Sequence, residues 1–287
     1  MPAPQARMEA LNELEPKVPI VISVQDLQAL DRTDVVIADV RWYLDGRDGR
    51  KAYTDGHIPG AIFVDLDRDL ASSDRSDATQ GRHPFPTPSA FAGAMSRLGI
   101  GSDSYVVAYD DTGGMTASRL VVMLRMLGCK ASVLDGGIQA LQRANDQPLA
   151  SGKPTTVKAA SFTTVEWPVN QIVTKQELDS IVAEGAINSR RVLLDARSGD
   201  RFQGVVTEAT AKLDPRPGHI PGAFSAPWNA VIDSDTSSFK SVEELQSHYE
   251  SLCVDLADEV IAYCGSGISA CANIVALEHA GYPTPRL

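Results

Sequence analysis

The strongest constraint on this chain is that its motifs occur twice. The hexapeptide GHIPGA fills Gly56–Ala61 and returns letter for letter at Gly218–Ala223. Ahead of each copy stands an apolar run ending in an acidic residue and an arginine: VVIADVR at Val35–Arg41 and VLLDAR at Val192–Arg197. After each copy comes a second apolar run, VVAY at Val106–Tyr109 and VIAY at Val260–Tyr263, followed by a small-residue loop and a helical pattern. Leu127–Gly128 with KASVL, and Ala280–Gly281 with TPRL, complete the parallel. Short apolar runs alternating with helical patterns predict α/β units around a largely parallel sheet. Within GHIPGA, two glycines and a proline set a tight turn and the isoleucine plugs it into the core. A histidine in such a turn reads most simply as a hydrogen-bonded turn residue. Two domains follow, 18–145 and 170–287, joined by 146–169, whose Pro, Ser, Gly and Thr show no helical periodicity.

The two halves differ at one informative place. In the second, Cys264 ends the apolar strand and opens the loop Gly265, Ser266, Gly267, Ile268 and Ser269, after which Ala270–Glu278 reads as a helix. A helix N-terminus and glycine-freed amides can converge on a sulfur there and favour thiolate, the nucleophilic form. A buried structural cysteine is the alternative from local sequence. In the first half the same position is Asp110, which cannot act as a sulfur nucleophile and marks that half as scaffold.

Other classes are narrowed by composition. A net charge of −11 over 287 residues argues against a nucleic-acid or anionic-membrane surface, while leaving room for a local basic pocket. The N-terminal stretch lacks the apolar core of a signal peptide and reads as a frayed arm, and no run approaches the length of a membrane span. The four cysteines, 129, 253, 264 and 271, form no CxxC pair, so neither a zinc site nor a disulfide framework is expected, and the expected location is the cytoplasm. Cys271 reads as a packed helix residue, with a redox role beside Cys264 as the alternative.

With both GHIPGA turns and the CGSGIS loop in view, the chain resembles the tandem-domain rhodanese family of sulfurtransferases over about Ile20 to Leu287. The resemblance implies two doubly wound α/β domains, each a mostly parallel sheet flanked by helices, with the site in the second domain near the interface. It implies ping-pong transfer through a Cys264 persulfide, without metal or organic cofactor. The donor is a small anion and the acceptor a thiol, a thioredoxin-like protein or cyanide. CGSGIS carries no charge and looks like the 3-mercaptopyruvate type, with thiosulfate as the alternative donor. In that type Ser266 is similar to a loop serine that relays a proton, His57 to its partner, and Asp48 to the residue orienting that histidine. Arg201, in DARSGDRF, fits the arginine that holds the substrate carboxylate, with Gly265, Gly267, Ile268 and Ser269 forming the loop around the substrate.

The chain departs from the family pattern twice. VTEATAK stands where a P-E-P-R arginine is expected, leaving Arg216 as a candidate substitute or a solvated loop residue. The second half also stops at Leu287, where the first half continues into a turn and a helix, so its last helix is expected to be missing. Two rival classes compete with this reading. A phosphatase on this fold needs Cys-x5-Arg, and that position is Ala270. A non-catalytic docking module would not need the intact cysteine loop.

Overall fold

The computed structural model describes residues 18–287 apart from 32, 145–147, 154–156, 186–189, 215 and 257, and omits the side chain of 78. The N-terminal arm and the boundary between 145 and 146 lie outside the described residues. In the first domain the strands are β1 (Val21–Ile22), β2 (Val35–Asp39), β3 (Ile62–Phe63), β4 (Tyr105–Tyr109) and β5 (Lys130–Leu134). They form one sheet in the order β1-β5-β4-β2-β3, with every pairing parallel. The apolar runs are therefore continuous because both faces are covered. Helices α1 (Val24–Ala29), α2 (Gly49–Asp55), α3 (Leu66–Asp69), α4 (Pro88–Arg97), α5 (Ala117–Met126) and α6 (Gly137–Ala144) supply the cover.

The second domain repeats the plan with α7 (Lys175–Ala183), β6 (Arg191–Asp195), α8 (Gly199–Gln203), α9 (Glu208–Leu213), β7 (Phe224–Ser225), α10 (Val242–Ser251), β8 (Glu259–Tyr263) and α11 (Ile268–His279). Its sheet runs β7-β6-β8, again parallel. On the far side of β8, Arg286 pairs with Ile261, and Leu287 exchanges main-chain hydrogen bonds with Gln171 and Val173. These residues occupy the places that β5 and β1 hold in the first sheet.

The recurring letters prove to be members of one buried network. Arg41 clasps Asp39 through Nε and a terminal nitrogen, and that terminal nitrogen also donates to the carbonyl of Gly56, the first residue of GHIPGA. Tyr109 donates its hydroxyl to Asp39 and accepts from the N–H of Ile58 within the same turn. In the second domain Arg197 clasps Asp195 and the Gly218 carbonyl, and the Tyr263 hydroxyl accepts from Ile220 N–H. Each buried charge is thus paired and hydrogen-bonded, as low dielectric demands.

The domains share a core. Ala38, Val106 and Leu120 from the first belong to the same apolar cluster as Ala262, Ile274 and Val275 from the second. Helices α5 and α11 pack together at the interface and are buried along nearly their whole lengths. Each domain also lays a loop over the other's strand-end loop. Ile232 covers Gly113 and Phe239 covers Gly114, while the Phe239 N–H donates to Asp135 at 2.8 Å. Reciprocally, Gly81 lies against Gly265, and the Arg82 N–H donates to the Gly265 carbonyl at 3.2 Å. The connecting segment is packed as well: Phe162 and Trp167 set their rings against Phe91, and the Trp167 indole donates to Pro86 O.

Replacing Tyr109 by Phe removes a hydroxyl that serves two buried partners. The expected loss is about 1–3 kcal/mol of unfolding free energy, read from urea unfolding; an unchanged midpoint would show that the network does not anchor the turn.

Candidate active site

Cys264 follows Tyr263, so the strand-end network sets where the sulfur stands. The Sγ accepts from the N–H of Gly267 at 3.1 Å and of Ser266 at 3.4 Å, with the Ser266 hydroxyl at 3.9 Å. Gly267, the N-cap of α11, has φ +73°, a left-handed conformation that suits glycine and turns its amide toward the sulfur. Burial pushes the thiol up, but hydrogen bonds from the Ser269 side chain, the Ser266 and Ala270 amides and the Ser266 hydroxyl outweigh it. The result is a pKa below the ordinary value. Ile268 is buried and anchors the loop.

The first domain builds the same cradle around a carboxylate. Asp110 is fully buried and accepts from the amides of Thr112, Gly114, Thr116 and Ala117 and from the Thr116 hydroxyl, all at 2.8–2.9 Å. Loops of this shape hold an anion, and the first domain supplies its own.

Positive charge reaches the cysteine loop from outside it. A methyl group on Gly265 would stand 2.6 Å from one terminal nitrogen of Arg82 and 2.9 Å from one of Arg201. Only a residue without a side chain admits both guanidinia this close. Arg201 projects from α8 and is held by Asp214 through a bidentate pair at 2.5 and 2.6 Å. Arg82 comes from the first domain, on the Leu70–Pro84 loop, and donates to Leu213 O at 2.8 Å. Burial, then repulsion from Arg201, lowers its pKa. Asp214 also lies 3.5 Å from Arg197 and 3.9 Å from Arg82, so one carboxylate organises three guanidinia.

The expected relay through His57 and Asp48 fails on geometry. His57 is buried, stacked 3.9 Å from the Tyr53 ring, with Nδ1 at the Tyr53 carbonyl. Tyr53 and Ile58 belong to the apolar cluster with Ile37 and Val107, on the face of the first sheet opposite to Ala38, Val106 and the second domain. Asp48 is exposed and caps α2, accepting from the amides of Arg50 and Lys51. His219 repeats the His57 arrangement, stacked on Phe202 with Nδ1 at the Phe202 carbonyl. Both GHIPGA histidines therefore tie their turn to a helix earlier in the chain, α2 for His57 and α8 for His219. Arg216 is exposed, and no hydrogen bond or ion pair among the described residues brings it to the loop.

A different histidine–aspartate pair adjoins Arg82. His83 follows Arg82, with Nε2 3.1 Å from Asp67, which also accepts from Trp42 and Arg75. Burial pushes His83 down to about 4, so the imidazole is neutral at physiological pH, and its buried Nδ1 has no partner among the described residues. Arg82, His83 and Asp67 escaped the sequence reading because they lie in the half marked as scaffold. Their loop has no counterpart motif in the other half; the one signal was a Gly-Arg-His-Pro run between helices.

The Rhodanese-like domain family matches the chain twice, over residues 23–144 and 174–287. This chain belongs to the rhodanese family. Among its curated relatives is a probable 3-mercaptopyruvate sulfurtransferase of Pseudomonas aeruginosa, 37% identical, with 93% of this chain and 91% of that protein covered. The human 3-mercaptopyruvate sulfurtransferase is 35% identical, with coverages of 82% and 76%. A putative thiosulfate sulfurtransferase, SseB, of Mycobacterium tuberculosis is also 35% identical, with coverages of 85% and 81%. The crystal structure of SseA from Escherichia coli, a 3-mercaptopyruvate sulfotransferase by its description, superimposes with a TM-score of 0.79 at 28% identity and covers 94% of this chain and 97% of that one. The chain is thus a sulfurtransferase of two rhodanese-like domains. No helix among its described residues is long and apolar enough to cross a membrane.

Two outcomes follow from these shifts. Alkylation of Cys264 against pH should inflect below the free-cysteine value of roughly 8.5; an inflection above it would refute the cradle. For His83 the folded pKa lies below the ordinary 6.5, so the unfolded chain takes the proton first. The stability this contributes is complete above about 6.5 and is lost as pH falls toward 4. Urea unfolding of His83→Asn should show a flatter pH dependence across that window, by on the order of 2–3 kcal/mol. A slope equal to the parent's would contradict a buried neutral imidazole.

Proposed function

We propose that this rhodanese transfers sulfane sulfur from 3-mercaptopyruvate to a thiol or cyanide acceptor through a persulfide on Cys264. The observation that carries the reading is the pair of guanidinia, Arg82 and Arg201, converging above Gly265 beside a thiolate-favouring cysteine. A planar fork suits a carboxylate, and two of them can fix an α-keto acid with its thiol toward Sγ.

The reaction divides into two displacements. The Cys264 thiolate attacks the donor's sulfur. An S–S bond forms, the C–S bond breaks, and its electron pair passes into the enolate of pyruvate, which takes up a proton at carbon. The proton leaving the donor's thiol is passed on by Ser266, and His83 held by Asp67 is the base nearest in sequence to Arg82, in place of the His57–Asp48 pair. An acceptor thiolate or cyanide then attacks the outer sulfur and restores the Cys264 thiolate. A thioredoxin-like protein supplies two thiols and is the protein acceptor this chemistry favours.

The paired guanidinia also suit a sulfonate, so donor choice is the discriminating measurement. Catalytic efficiency with 3-mercaptopyruvate should exceed that with thiosulfate, since CGSGIS itself offers only neutral donors. The reverse order would make this a thiosulfate enzyme. Cys264→Ser should abolish transfer from either donor while the chain stays folded, and retained activity would remove Cys264 from the mechanism. Arg201→Ala, and separately Arg82→Ala, should lower efficiency with 3-mercaptopyruvate by roughly tenfold to a hundredfold, the worth of a charge-assisted contact of about 1.5–3 kcal/mol. Capture of the persulfide by cyanide should be far less affected by Arg201→Ala, because that acceptor has no carboxylate.

A further inference from the structure

Arg119 is a buried cation with no evident counter-ion. It projects from α5 of the first domain and is 1% exposed. A terminal nitrogen donates to two main-chain carbonyls, Leu70 at 3.3 Å and His83 at 3.1 Å, and the Phe85 ring lies 4.1 Å from the guanidinium carbon. Its Nε–H meets no acceptor among the described residues. Burial lowers its pKa, and against that act two sulfurs, Cys271, which also hydrogen-bonds the guanidinium, and then Cys264. A guanidinium keeps its proton in a protein, and a buried cation without an answering anion is costly.

The other terminal nitrogen points to the anion. A methyl group on Gly267 would stand 2.9 Å from it, and Gly267 is the residue whose amide donates to Cys264 Sγ. Of the two sulfurs, Cys271 gives its S–H to the Gly267 carbonyl at 3.0 Å, and burial pushes it up to about 12, so it stays neutral. Cys264 is shifted the other way. We propose that Arg119 is a positioning residue for sulfur transfer: a counter-charge, supplied by the first domain from beneath the loop, that stabilises the Cys264 thiolate and the persulfide anion formed on it through Gly267. Arg82 and Arg201 stand above Gly265, on the side where a donor's carboxylate would bind. Arg119 stands behind the loop, sealed from substrate, so its contribution is the same whichever donor is used. The inference rests on Cys264 being the sulfur-carrying thiolate.

The test follows alkylation of Cys264 in the full chain by iodoacetamide, a neutral reagent, across pH, with the Cys264 peptide quantified by mass spectrometry. Among the described residues, the charged and titratable groups at the cysteine loop are Arg82 from the Leu70–Pro84 loop, with His83 next to it in sequence, Arg201 with its bound Asp214, Cys271 from α11, and Arg119. All but Arg119 are left intact. In Arg119→Gln, which keeps an N–H for the two carbonyls, and in Arg119→Met, the inflection should rise by about one pH unit. In Arg119→Lys, which keeps the charge, it should stay within a few tenths of a unit of the parent. A folded Arg119→Gln with an unmoved inflection, or Arg119→Lys shifting as far as Arg119→Gln, overturns the proposal and leaves Arg119 as a tie for the loop.

Should the neutral variants fail to fold, thermal midpoints decide the matter in chains carrying Arg82→Gln and Arg201→Gln. There the gap between Cys264 and Cys264→Ser should widen from pH 6 to pH 9 as the thiolate forms, and equal gaps overturn the proposal. Alkylation involves no sulfur donor, so a wrong substrate assignment leaves this result standing.

Discussion

The buried carboxylate at the end of each central strand is the constraint on which the rest of the molecule depends. Asp39 and Asp195 are fully buried, and each is clasped by the arginine two residues on. That arginine reaches past its partner to the first glycine of GHIPGA, while the tyrosine of the neighbouring strand holds the isoleucine amide of the same turn. Strand end, turn and adjacent strand are thereby locked in register. The residue after the tyrosine is Asp110 in one domain and Cys264 in the other. Its position is set before its chemistry matters.

That network explains what could be read from the letters and what could not. Its members must be the same residues in both halves, so they recur, and the duplicated α/β plan was legible from them. The cysteine loop was legible for a related reason: small residues at a strand-to-helix junction have few uses, and amide convergence is one. His57 misled because the resemblance gave it a relay role, although a histidine in such a turn reads most simply as a hydrogen-bonded turn residue. A motif repeated in full serves what the copies share, here the stacking of His57 on Tyr53 and of His219 on Phe202. Arg82, His83, Asp67 and Arg119 were illegible for the opposite reason. Arg82 and Arg119 matter through contacts made across the interface, and His83 and Asp67 pair with each other on the elements that lead to Arg82, which no spacing within either half encodes. The place of Arg201 was legible because it lies in the same half as the cysteine, four residues after the Arg197 that the network fixes.

The two domains thus stand in a reciprocal and unequal relation. Each covers the other's strand-end loop, and each loop is an anion cradle. Over Asp110 the covering residues are Ile232 and Phe239, apolar groups that close a cradle already filled. Over Cys264 the cover is Gly81 and Arg82, which leave charge and a passage. One duplicated architecture yields a sealed site and an open one, with the difference lying in the covering loops as much as in the exchange of Asp for Cys.

The division of the site between halves also sets an order in time. Domains form from the N-terminal side as a chain is synthesised, and Arg82, His83 and Arg119 all belong to the first domain and precede Cys264. The guanidinia that receive the sulfur are therefore in the growing chain before the sulfur is. A reactive thiolate is a hazard to its own protein while the chain is incomplete, open to oxidation and to exchange with other thiols. Here the cysteine's own loop favours the thiolate, while the first-domain guanidinia reach that loop only on docking, so the site is completed by the same packing of α5 against α11 that completes the fold.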